Sequence, residues 1–199
     1  MLADTHAHLS WASFAEDREK VISRARKVDV KYIVNIGFDL DGSREAIELA
    51  EKHEGLYASV GIHPHSASQL NENVLDKLRK LSGNPKAVAI GEIGLDYYRN
   101  LSPREAQKKA FEAQLLLSEE LGLPVVIHDR EAHADTLEIL SKFKGKINGI
   151  MHCFSGTRYP KNTCFYARTA FINHNGVIFN NGRAPTGSQQ KRYKFKHHQ

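Results

Sequence analysis

Residues 87–128, AVAIGEIGLDYYRNLSPREAQKKAFEAQLLLSEELGLPVVIH, decide the fold. The stretch opens with an apolar run at residues 87–90, the length of a strand covered on both faces. Ser102, Pro103 and Glu105 then mark a helix start: a serine N-cap, a proline in the first turn, and a glutamate three residues on that completes a capping box. Ala106, Ala110, Ala113, Leu117 and Leu121 recur at helical spacing, and Gly122 with Pro124 ends the helix. Residues 125–127 form a second apolar run. Strand, crossover helix and strand make up the unit of a parallel sheet.

The same alternation extends in both directions. Strands are expected at residues 2–5, 32–36, 56–62 and 147–151, and helices at 14–28, 41–53, 71–82 and 132–143. Six strands, each but the last followed by a helix, describe an α/β protein with a parallel sheet covered by helices. A TIM-type (β/α) barrel and an open doubly wound sheet both fit. No G-x-G-x-x-G or G-x-x-x-x-G-K-[ST] follows the first strand, which weakens a nucleotide-binding reading. A chain of 199 residues suffices for one domain, or for the larger part of a barrel.

Charge is distributed unevenly. Residues 1–138 hold 17 Lys and Arg against 23 Asp and Glu, a net of −6; residues 139–199 hold 11 Lys and Arg and no carboxylate, a net of +11. The two cysteines, Cys153 and Cys164, are too few for a disulfide framework and form no C-x-x-C pair. No stretch approaches the roughly 18 to 20 apolar residues of a membrane span, and no signal peptide opens the chain. A cytoplasmic monomer is expected.

The chemistry lies where histidines and an isolated carboxylate meet the strand ends. His6 and His8 close the first strand, His63 and His65 the third, Glu92 the fourth, His128 the fifth and His152 the sixth. In a parallel barrel those ends share one mouth, where active sites are built. Two residues apart on a strand, His6 and His8 face the same way. Imidazoles joined by a carboxylate suit a divalent transition metal such as zinc, manganese or nickel. Each residue alone has a plainer reading: an incidental H-x-H, a loop histidine, a solvated glutamate. Their joint placement carries the metal reading. His53, His133, His174, His197 and His198 stand outside it, on helices or in the tail.

At these residues the sequence resembles the TatD family of metal-dependent hydrolases. Asp4-Thr5-His6-Ala7-His8-Leu9 is similar to the family's opening motif and Val60-Gly61-Ile62-His63-Pro64-His65 to its third-strand motif. Gly91-Glu92-Ile93-Gly94-Leu95-Asp96-Tyr97 resembles its most characteristic one. Pro124-Val125-Val126-Ile127-His128 and His152-Cys153-Phe154-Ser155-Gly156 are similar to those of strands five and six. The resemblance implies a TIM-type barrel holding two divalent metal ions (zinc, manganese, nickel or magnesium). His6, His8 and Glu92 would hold one ion and Glu92, His128 and His152 the other, with Glu92 bridging as the catalytic carboxylate. His63 and His65 would contact substrate, and Asp96 would orient a metal ligand or cap a loop. The implied activity is hydrolysis of DNA phosphodiester bonds, in the 3′-to-5′ exonuclease class.

The resemblance covers residues 1 to about 157. Beyond it the family pattern requires a late-strand aspartate in a Glu-Thr-Asp-like motif, and this chain has no carboxylate after Glu138. The expected division is a (β/α) barrel core at 1–157, incomplete at its C-terminus, followed by an atypical basic tail at 158–199. Residues 176–181 faintly echo the family's seventh strand. Three origins for the tail stay open: a frameshift or truncation, a basic nucleic-acid-binding extension, or a divergent closure of the barrel. With the aspartate missing, low stability and weak nuclease activity are expected of this chain. A second reading is an amidohydrolase-type enzyme; it needs a carbamylated lysine at a strand end, and none is placed there. A third is a non-catalytic metal- or nucleic-acid-binding remnant.

Overall fold

The structure is a computed structural model that describes residues 2–152 together with Phe171–Ile172 and Ile178–Phe179. Cys153, Cys164, His174, His197, His198, the last residues of the sixth-strand motif and most of the basic tail lie outside the described residues.

Strands β1 (Leu2–Ala7), β2 (Val30–Ile36), β3 (Leu56–Val60), β4 (Ala87–Asp96), β5 (Val125–Arg130) and β6 (Gly149–His152) line up in chain order, every neighbour parallel. Between them run helices α1 (Arg18–Lys27), α2 (Leu40–Lys52), α3 (Glu72–Ser82), α4 (Arg104–Leu121) and α5 (His133–Ser141). The six strands curl into a nearly closed barrel with the helices outside, the TIM-type architecture that the family resemblance implies and one of the two that the alternation allows. Two short strands follow. β7 (Phe171–Ile172) is parallel to β6, and β8 (Ile178–Phe179) is antiparallel to β7, unlike a strand of an all-parallel barrel. Among the described residues β1 pairs with β2 alone.

Local chemistry explains several element ends. The Asp39 carboxylate accepts the Gly42 N–H and the Asn71 side chain the Val74 N–H, starting α2 and α3. Gly122, at φ +65°, ends α4 in the left-handed conformation. One apolar cluster joins strands and helices, with Ile93, Leu95, Phe111, Leu115 and Ile127 fully buried at its centre.

Three expectations need correction. The first helix does not begin at residue 14. A 3₁₀ turn spans Ala12–Phe14 and α1 starts at Arg18, whose guanidinium bonds back to the carbonyls of Leu9, Ser10 and Trp11. Ser102 does not cap α4: its hydroxyl donates to the His65 carbonyl and accepts the Ser68 N–H, so it serves the loop after β3 instead. The fourth strand runs well past residue 90. A register shift between Ile90 and Ile93 interrupts it, and pairing with β5 then continues to Asp96, so Glu92 sits inside β4 and not at its end.

Candidate metal centre

The register shift aims Glu92 inward. Within it the Glu92 N–H leaves the sheet ladder and donates across the barrel end to the Gly37 carbonyl at 2.8 Å. Glycines make the crowding tolerable. A Cβ on Gly61 would lie 2.9 Å from the Gly91 carbonyl carbon, so β3 and β4 approach closely there. Gly94 has φ +135°, and a Cβ on it would meet the His128 carbonyl oxygen at 2.1 Å. Gly94 is also the register partner of His128, which in turn pairs with His152. These contacts set the depth of three candidate residues.

Glu92 is 2% exposed, and its two oxygens face different groups. Oε2 lies 3.6 Å from His6 Nε2 and 3.9 Å from His8 Nε2, and those nitrogens are 3.2 Å apart. Oε1 lies 2.8 Å from His128 Nδ1, 3.9 Å from His152 Nε2 and 4.0 Å from His63 Nε2. Two ligands at roughly 2.0–2.2 Å from a tetrahedral ion stand about 3.4 Å apart. The His6–His8–Glu92 triangle has that size, and its donors are the imidazole nitrogens and carboxylate oxygen that divalent transition ions take. His63, Glu92 and His128 form a second group of matching dimensions. The donors present therefore fit one divalent ion on the His6–His8 side of Glu92 and a second on its other side, held by Glu92 and His128 with His63 or His152 as the third donor.

Electrostatics follow from burial and pairing. Burial outweighs the attraction of Glu92 and lowers the pKa of His6 and His63 to about 3, leaving both neutral near pH 7. His128 behaves oppositely. Burial lowers it, but hydrogen bonds to Asp96 Oδ2 (3.1 Å) and Glu92 Oε1 prevail and raise it to about 9. Burial works against ionisation of Glu92 and Asp96 too. It is outweighed at Glu92 by the His128 hydrogen bond, and at Asp96 by His128, the Arg99 N–H and His65, so both lie below the usual carboxylate range. Without a cation the centre is a carboxylate–imidazolium–carboxylate chain beside the neutral His6 and His63.

His63 and His65 join the cluster in different ways. His63 Nδ1 accepts the His65 N–H at 3.2 Å, which leaves the ring proton on Nε2, pointing toward Glu92. His65 Nε2 bonds to Asp96 Oδ2 at 2.9 Å and does not reach Glu92. Asp96 bonds in two directions: Oδ2 meets His65 and His128, while Oδ1 accepts the Arg99 N–H in the following loop. His152 stacks on His6, ring centres 3.6 Å apart. His53 and His133 lie elsewhere, beside Glu19 and Asp129.

Sequence reasoning missed the scaffold behind these side chains. Gln107 and Gln114, two turns apart on α4, are fully buried, and each amide clasps a strand-end peptide group. Gln107 accepts the Asp96 N–H at 2.8 Å and donates to the Asp96 and Ser102 carbonyls. Gln114 accepts the Ile62 N–H at 2.7 Å and donates to the Ile62 carbonyl at 3.1 Å. The Ser43 hydroxyl accepts the Gly61 N–H, and the Phe38 carbonyl accepts the His63 N–H at 2.8 Å. The chain past β3 is thus held peptide by peptide, which places His63. The available signal was two glutamines at i and i+7 inside an apolar stripe, where a polar residue needs a buried partner.

The chain matches the family model described as "TatD related DNase" over residues 3–188. It is 39% identical over 186 residues to a metal-dependent hydrolase of Bacillus subtilis strain 168, YabD, covering 93% of this chain and 73% of that one. It is 42% identical over 163 residues to the 3′-5′ ssDNA/RNA exonuclease TatD of Pantoea vagans, covering 81% of this chain and 63% of that protein. The crystal structure of YjjV, a TatD homologue from Escherichia coli K12, superposes with a TM-score of 0.73 at 30% identity, covering 78% of this chain and 61% of that one. This chain therefore spans about three fifths to three quarters of these relatives' lengths. The family match runs beyond residue 157, where the recognised motifs end. Among the described residues no helix is long and apolar enough to cross a membrane.

Proposed function

The chain belongs to the TatD-related DNase family, and on that premise we propose that its barrel mouth binds two divalent cations and hydrolyses phosphodiester bonds of single-stranded DNA from the 3′ end. One observation carries the reading: the carboxylate of Glu92 divides its oxygens between His6 with His8 on one side and His128, His152 and His63 on the other. Bound there, divalent cations supply positive charge to the phosphodiester and ease ionisation of the attacking water.

The chain's own groups have distinct tasks in this reading. His6, His8, Glu92, His128 and His152 are the ligands, with Glu92 shared. For His128 to ligate, it must give up a proton that Glu92 and Asp96 now hold on it, so cation binding releases a proton. His63 is assigned to substrate in this reading: its Nδ1 accepts the His65 N–H, and the Nε2 proton, which faces Glu92, would turn to a phosphate oxygen. Asp96 positions His128 and His65 from behind.

Residues 1–157 form the catalytic core in this proposal and 158–199 the atypical segment. In this proposal a late-strand aspartate orients the attacking water; the 199 residues here hold no carboxylate after Glu138, so as they stand they would cleave slowly. The test is hydrolysis of 5′-labelled single-stranded DNA by purified, cation-stripped protein supplied with zinc, manganese, nickel or magnesium. A second protein with a late aspartate strand restored is assayed beside it. The proposal predicts cation-dependent shortening from the 3′ end, weak for this chain and strong for the restored one. No cleavage by either protein with any of the four ions refutes it. Cleavage by the restored protein alone makes this chain a binding remnant, and robust cleavage by this chain refutes the need for the late carboxylate.

A further inference from the structure

Trp11 is the chain's one tryptophan, and it stands at the rim of the cluster. Its ring lies on the ring of His8, centres 4.4 Å apart and planes 20° from parallel. Phe38 braces it edge-on at 6.2 Å and 83°. It nevertheless remains 47% exposed. The loop beneath it is ordered by design of its bonds. The Trp11 N–H donates to the His8 carbonyl at 3.1 Å, the Trp11 carbonyl accepts the Phe14 N–H at 2.9 Å, and Arg18 holds the Leu9 carbonyl at 2.6 Å. A large apolar ring held this firmly, with one face on a candidate ligand and about half its surface still exposed, is not a scattered surface aromatic.

We propose that the outer face of Trp11 is a stacking platform for an unpaired nucleobase, next to the phosphodiester held at the cluster. This rests on the hydrolase reading and deepens it by naming what selects the substrate. A base on the indole lies one stacking layer beyond His8, while its own phosphate reaches back toward the Glu92 side. Every base offers a π-face, so the platform favours unstacked strands without reading sequence. A base locked in a duplex cannot lie flat on the indole, so single strands are preferred.

With a single tryptophan, fluorescence excited at the red edge, where the seven tyrosines do not absorb, reports on this platform alone. The probe is a short oligothymidylate with phosphorothioate linkages, compared with its abasic counterpart, each titrated into the cation-loaded protein. The oligothymidylate should quench the tryptophan and bind more tightly than the abasic strand. By fluorescence anisotropy of labelled strands, Trp11→Ala should weaken oligothymidylate binding by roughly 5- to 150-fold. Abasic binding should stay as it was, and Trp11→Phe should keep most of the affinity. A loss arising through a disturbed His8 would weaken both strands alike and would overturn the proposal. So would equal affinity of the two strands for the unaltered protein. Base-dependent quenching without cleavage upholds the platform while the hydrolase reading fails. Cleavage with no distinction between base-bearing and abasic strands leaves the hydrolase reading standing and removes the platform.

Discussion

Replacing Gln114 with methionine keeps the side chain's length and shape but removes both amide functions. The Ile62 N–H and carbonyl, now 2.7 and 3.1 Å from that amide, lose their partner. Ile62 lies past the last residue of β3, and at 2% exposure water cannot substitute. Each orphaned buried group costs about 1–3 kcal/mol, so Gln114→Met should destabilise the protein by about 2–6 kcal/mol. That is a large part of the roughly 5–15 kcal/mol available to a domain. Urea unfolding followed by circular dichroism measures it as a fall in midpoint at unchanged slope. Because Ile62 directly precedes His63, the folded fraction should also bind a substrate phosphate more weakly. A loss below about 1 kcal/mol would refute the argument, since it would mean the Ile62 peptide has another partner.

Other perturbations probe the remaining links. Gly94→Ala places a Cβ against the His128 carbonyl at a left-handed φ, and should cost about 3 kcal/mol or more; an unchanged melting temperature contradicts the packing described. The cation-free protein should be most stable near pH 6.5. His6 and His63 are held neutral when folded and protonate only in the unfolded chain as pH falls below about 6.5, so stability drops on the acid side. His128 is raised to about 9, so its contribution is complete below about 6.5 and is lost as pH rises through 9. Urea midpoints measured in chelator from pH 5 to 10 test this, and a midpoint still climbing at pH 9 contradicts it. Zinc at about a hundredfold excess over its dissociation constant should stabilise the protein by about 2.7 kcal/mol. A melting temperature indifferent to added cation or chelator would count against the site.

Much of this was legible in the sequence because the fold repeats one unit. Apolar runs of strand length, separated by amphipathic helices, announce a parallel sheet; that the sheet is a barrel came from the family resemblance, because an open doubly wound sheet satisfies the same periodicity. The ligand candidates were legible because histidines do not otherwise gather at or just past strand ends, although Glu92 itself stands inside β4. Tertiary effects were less visible. The extension of β4 to Asp96 depends on glycines that let the strand shift register and resume, which a periodicity test reads as a stop. The claim of Ser102 on the His65 carbonyl outcompeted a helix cap that looked complete from spacing alone. The convergence of His63 on Glu92 depends on Gln114 and Phe38, residues distant in sequence whose roles appear only once the barrel closes. Trp11 carried no signal at all until its ring was seen lying on His8.

The central claim is that Glu92 is a shared ligand for two cations. Equilibrium dialysis against zinc or manganese, with metal content counted per chain, tests it on the unaltered protein and on Glu92→Gln. The account predicts two ions per chain for the first and fewer than one for the second, with circular dichroism showing that both are folded. A folded Glu92→Gln protein that still holds two ions, or an unaltered protein that holds none, would contradict it.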